Sequence, residues 1–127
     1  MADKTVRELM VECARIADEH GFYDEERGLI EFLLKYGTPQ WKWVLHTSDL
    51  ACIARMHSEL SELVEALRHG DPPDQHCPEF RSSEVELADL VIRALDWAQQ
   101  RGLRLPEAMA AKMAYNESRP YLHGKKS

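Results

Sequence analysis

Apolar residues in this sequence recur every three or four positions, and no segment alternates polar and apolar one by one, so the chain reads as helices without strands. The clearest run extends from about Asp49 to Arg68, where Ile53, Met56, Leu60, Leu63, Val64 and Leu67 share one face and Gly70 is placed to stop it. A second runs from about Glu84 to Arg101 with Leu87, Leu90, Val91, Ala94 and Ala98 as its stripe, and ends at Gly102. The segment between them, Gly70 to Arg81, holds Pro72, Pro73 and Pro78 and should reverse the chain, which makes the two helices antiparallel neighbours packed by their stripes.

Thr5 to about Glu19 carries Val6, Leu9, Met10, Cys13, Ile16 and Ala17 at helical spacing, and Thr5 with Glu8 has the spacing of a capping box. From Gly21 to Thr47, Gly28, Gly37 and Pro39 interrupt the pattern, which reads as one short helix around Leu29 to Leu34 followed by an aromatic loop. Pro106 suits the first turn of a last helix through about Asn116, and Pro120 closes it. The expectation is a single all-α domain over residues 1–127, a bundle of four to five helices.

A formal charge of −6 removes a broad basic footprint for nucleic acid, so a negatively charged substrate would need a local cation. Basic residues do gather at the end, in Arg119, His123, Lys125 and Lys126. Cys13, Cys52 and Cys77 are odd in number and widely spaced, which fits neither a disulfide framework nor a zinc knuckle and suits a reducing cytoplasm. Neither a signal peptide nor a membrane-spanning run is legible.

On a wheel turning about 100° per residue, Glu59 and Glu62 lie along one flank of the first stripe, and Glu86 and Asp89 on the matching flank of the second. Antiparallel packing would bring the four carboxylates to one edge of the interface, where converging anions need a cation. Oxygen ligands alone select Mg²⁺ or Mn²⁺ over zinc, and Mg²⁺ usually bridges to substrate phosphates. Ordinary roles compete: an E-x-x-E on a helix often marks a solvated face, and Ser83 with Glu86 could form a capping box. Glu65 and Asp96 are secondary candidates, and Arg93 could pair with Asp96 at i and i+3.

The string from His57 to Arg68, with Glu86-Leu-Ala-Asp89 and then Ile92-Arg93, resembles the MazG-like family of nucleotide pyrophosphatases, whose E-x-x-E and E-x-x-D pairs match Glu59, Glu62, Glu86 and Asp89. The run from Lys112 through Asn116, Arg119, Pro120, His123 and Gly124 is similar to the small phage and cassette-borne branch. The resemblance implies Mg²⁺-dependent hydrolysis of a (deoxy)nucleoside triphosphate to monophosphate and pyrophosphate, in house-cleaning or pool control, on a helical scaffold that forms dimers or tetramers. It makes Glu59, Glu62, Glu86 and Asp89 the metal ligands, with Glu62 and Glu59 catalytic and Glu62 taking the proton of the attacking water.

Lys112 and Asn116, four apart on one face of the last helix, could hold phosphate and sugar or simply form an exposed face, while the resemblance implies Arg119 and then His123 closing from the tail, and Arg93 continues the acidic row. Trp43, with Trp41, Phe22 and Tyr23, could stack a base or simply build core. Ile92 and Leu95 lie off the main stripe of their helix, and a helix apolar on several sides calls for a partner subunit to cover it, in line with the homodimer or homotetramer that the resemblance implies.

Two enzyme rivals lack their residues. No histidine has an acid three positions before it, as a di-iron bundle needs, and none is followed by aspartate, as a metal-dependent phosphohydrolase built on a His-Asp dipeptide needs. The non-enzymatic rival is a helical interaction module without metal dependence.

Overall fold

A computed structural model of the chain describes residues 3–120, and the predicted tail residues His123, Gly124, Lys125 and Lys126 lie outside that range. Five helices are described: α1 (Val6–Glu19), α2 (Asp24–Lys35), α3 (Trp41–Arg68), α4 (Ser82–Gln100) and α5 (Leu105–Ser118). Among the described residues there is no strand, only an isolated bridge between Pro73 and Arg81. The all-α expectation therefore holds, with five helices, in agreement with a MazG-like helical bundle.

The cap expected for α1 is present: the Glu8 amide donates to the Thr5 hydroxyl at 3.1 Å and the Thr5 amide to the Glu8 carboxylate at 3.3 Å. Gly70 ends α3 in the left-handed region at φ 81°, so that the Asp71 amide reaches back to the Ala66 carbonyl at 2.8 Å. Gly102 ends α4 the same way at φ 64°, with the Leu103 amide on the Ala98 carbonyl at 2.9 Å. These two stops set the length of an antiparallel hairpin in which α3 packs on α4, while α1 packs on α4 and α2 on α3.

Three sequence expectations are corrected. The aromatic loop is instead the first two turns of α3, which starts at Trp41 just past Pro39. Nothing between Trp41 and Arg68 breaks a helix, and ties to α2 and α4 hold this first part in place. Ser48 donates a hydrogen bond to Glu26, and Asp49 takes Nε of Arg101 at 2.5 Å.

The second correction concerns α4, whose start does not use the Ser83 and Glu86 box. Asp71, from the linker, accepts the Ser83 amide at 2.7 Å and the Ser83 hydroxyl at 2.6 Å, capping α4 from a distance and leaving Glu86 for other work. The third is that the two apolar stripes do not bury one another: Leu60, Val64, Leu67, Leu87 and Val91 remain about half exposed.

The buried side chains gather at the other end of the hairpin, where α3 begins and α4 finishes. Met10, Leu95 and Ala98 form one cluster with Val6, Leu9, Cys13 and Leu105 against it, and Ala17, Tyr23 and Cys52 form another beside Trp97. Leu95 thus faces α1, whereas Ile92 stays exposed. Arg101, at the end of α4, ties this end together by gripping the Glu26 carboxylate with both terminal nitrogens, at 2.6 and 3.1 Å, beside its bond to Asp49. Arg101 and Glu26 are only 13% and 11% exposed. Trp97 adds an Nε1 hydrogen bond to Asp49 at 2.9 Å.

Candidate functional site

Midway along the hairpin, towards its linker end, α3 and α4 set Glu59, Glu62 and Glu86 so that one oxygen of each lies within 4.8 Å of the others. Glu59 is buried at 7% exposure, Glu86 is half-buried and Glu62 faces solvent. Burial, then the Glu62 carboxylate beside it, push Glu86 up to about 7, with Asp89 and Glu59 adding to the rise. Its Oε2 is buried and has no hydrogen-bond partner among the described residues. Asp89, one turn further on, is raised by burial and by Glu59. It stands close enough to feel both Glu59 and Glu62 but is not part of the tight triad.

Arg93 binds Glu59 through Nε at 2.7 Å, so it does not form the i, i+3 pair with Asp96. Asp96 instead accepts the Tyr23 hydroxyl at 2.9 Å and the Gln100 amide at 3.2 Å. Glu65 turns to Arg68 and His69, both at 3.2 Å, as an exposed local ion pair outside the triad.

A cavity of about 520 Å³ adjoins the acidic group through Asp89 and through Arg93, the partner of Glu59. Tyr23 and Trp97 line it together with Phe22 and Asp96. Of the aromatics singled out in the sequence, Phe22 and Tyr23 reach this cavity, while Trp43 is 72% exposed and is not part of its lining. Trp97 and the Tyr23–Asp96 pair were not foreseen. Asp89, Arg93 and Asp96 recur at i, i+4 and i+7 on one face of α4, and that row was the available signal.

Lys112, Asn116 and Arg119 belong to α5 or its end, which meets the rest of the chain chiefly through α1, by the Arg7–Glu107 ion pair and Leu105. Lys112 and Arg119 both lie over the Tyr115 ring, at 4.7 and 5.5 Å from its centroid. No ion pair or hydrogen bond joins Lys112 or Asn116 to the acidic group among the described residues.

Over 69 residues, 54% of this chain, the sequence is 35% identical to the dATP/dGTP diphosphohydrolase of Cyanophage S-2L. The chain spans about half, 54%, of the length of that curated relative. No family model matches the chain, and no solved structure does. The likeness is thus to a nucleotide pyrophosphohydrolase. No described helix is long and apolar enough to cross a membrane.

Proposed function

We propose that the chain is a Mg²⁺-dependent pyrophosphohydrolase of (deoxy)nucleoside triphosphates, releasing the monophosphate and pyrophosphate, in house-cleaning or pool control within the cytoplasm. The supporting observation is a set of three carboxylates with one oxygen of each within 4.8 Å of the others, one of them with a buried oxygen that has no hydrogen-bond partner among the described residues. Such crowding costs free energy in the bare protein and is relieved when a cation sits among the oxygens. The donors are all carboxylate oxygens, which fit Mg²⁺ or Mn²⁺ and are unsuited to softer ions. The curated relative's name, a dATP/dGTP diphosphohydrolase, points to the same chemistry.

On this reading Glu59, Glu62, Glu86 and Asp89 hold the metal, which when bound supplies charge neutralisation at the phosphates and eases deprotonation of the attacking water. Glu62 is the member open to solvent and takes the water's proton. Glu59 is held in its orientation by Arg93, which keeps a cation beside the phosphates. Lys112, Asn116 and Arg119 keep their proposed substrate role in an assembly or closed state that brings them to the triad, whereas Trp43, about 24 Å from Glu59 along the same helix, could serve only the site of a second copy.

A homodimer or homotetramer is part of the proposal. Leu60, Val64 and Leu67 on α3 and Leu87 and Val91 on α4 stay about half exposed, apolar surface of the kind a second subunit covers. The test is product analysis over a panel of nucleoside triphosphates with Mg²⁺ or chelator. Monophosphate and pyrophosphate formed only with metal supports the enzyme. No turnover of any nucleotide removes it and leaves a helical interaction module.

A further inference from the structure

The cavity lies next to the acidic group, since Asp89, one turn beyond Glu86, and Arg93, which binds Glu59, are in its lining. Its volume of about 520 Å³ suits a nucleoside-sized ligand. Apolar and aromatic surface from Ile16, Phe22 and Trp97 lines it, and Asp96 sets a carboxylate into that lining. The Tyr23 hydroxyl and the Gln100 amide bond to different oxygens of Asp96, at 2.9 and 3.2 Å. A carboxylate offers about four acceptor positions, so these two bonds fix its orientation without exhausting it.

We infer that this cavity takes the base of the nucleotide and that the Asp96 carboxylate, steadied by Tyr23, selects bases presenting N–H donors, guanine foremost. The inference rests on the hydrolase reading for its substrate class. The apolar and aromatic lining favours a flat heteroaromatic ring, whose edge would then meet an acceptor with no donor of its own. Guanine offers N1–H and the 2-amino group side by side, which match the two oxygens of a carboxylate. Adenine and cytosine offer one amino group next to a ring acceptor. Thymine and uracil flank their single N–H with two carbonyl oxygens that the carboxylate repels. The unmet mismatch should make kcat/KM for the guanine nucleotide exceed that for the thymine nucleotide by roughly 5- to 150-fold, which corresponds to about 1–3 kcal/mol.

The test combines turnover with a titration that needs neither metal nor phosphates. Methyl NMR of the chelated protein should show the Ile16 and Ile92 signals moving with deoxyguanosine and much less with thymidine. Asp96→Asn, which can turn an amide donor towards a carbonyl, should narrow the ratio between guanine and thymine nucleotides. Ile16→Trp, filling the cavity from a half-exposed position, should remove the deoxyguanosine response in protein whose spectrum is otherwise folded. Equal responses to both nucleosides, or none at Ile16 and Ile92, would overturn the inference even if the enzyme hydrolyses nucleotides. Absence of turnover alone would remove the hydrolase reading while the titration still decides what the cavity binds.

Discussion

Replacing Glu62 by Gln in protein stripped of divalent cations should raise its melting temperature at pH 8. The oxygens of Glu59, Glu62 and Glu86 lie within 4.8 Å of one another, and at pH 8 Glu86, which is pushed up to about 7, is largely ionised. Two unit charges at that separation repel by about 0.9 kcal/mol in a water-like dielectric and about 3.5 kcal/mol at an effective value of 20. Glu62 is the exposed member, so the lower figure applies, and relief of about 1 kcal/mol corresponds to roughly 3–5 °C for a domain of this size. With Mg²⁺ the order should invert. A ligand at 100 times its Kd stabilises the native state by about 2.7 kcal/mol, a gain that only the wild type, with its ligand set complete, should show in full. Scanning calorimetry of both proteins, with chelator and with Mg²⁺, checks this. A variant that melts below the wild type in chelator would refute the argument, because the carboxylates would then not be held against their mutual repulsion.

Exchanging Glu62 or Asp89 for Ala should abolish turnover with Mg²⁺ while circular dichroism stays that of the folded protein; full activity in both variants would refute the assigned site. The pH dependence of the chelated protein follows from the sign of the shift at Glu86. Its folded value is above its unfolded one, so its contribution is fully present below about 4.5 and is lost as pH rises to about 7, and thermal melts should fall between about pH 4.5 and 7 and level off above that, unless Mg²⁺ is added. Arg101→Met leaves Glu26 and Asp49 without their shared cation at a largely buried position, and urea titration should show a loss of about 3–5 kcal/mol. Leu60→Asp together with Leu87→Asp should shift the mass measured by light scattering to that of a monomer, if the exposed face joins two copies.

The parts of the fold legible in the sequence are those governed by local chemistry. Thr5 and Glu8 cap α1 as their spacing requires, and Gly70 and Gly102 stop their helices because each must adopt a positive φ. The proximity of Glu59, Glu62 and Glu86 was also legible, since two helical periods on an antiparallel hairpin dictate which residues share an edge. The missing parts depend on contacts between distant segments. Nothing near Trp41 announces that Ser48 and Asp49 will be tied to Glu26 and Arg101, so the aromatic stretch looked like a loop. Ser83 had the spacing to pair with Glu86, and only the folded linker puts Asp71 there instead. A period also marks an apolar face without saying what covers it, which is why the stripes of α3 and α4 seemed destined for each other.

The core of this chain occupies only one end of the hairpin, where Met10, Leu95, Tyr23 and Cys52 are buried and Arg101 binds three helices. The other half, from the acidic group to the linker, has two helices and little buried apolar surface to join them. Backbone amides there should exchange with solvent at a lower opening free energy than those beside Arg101. An ion bridging Glu59 and Glu62 on one helix to Glu86 on the other would rivet the loose half together, doing for it what a hydrophobic interior does elsewhere, so that order in the site would arrive together with the cation that the chemistry needs.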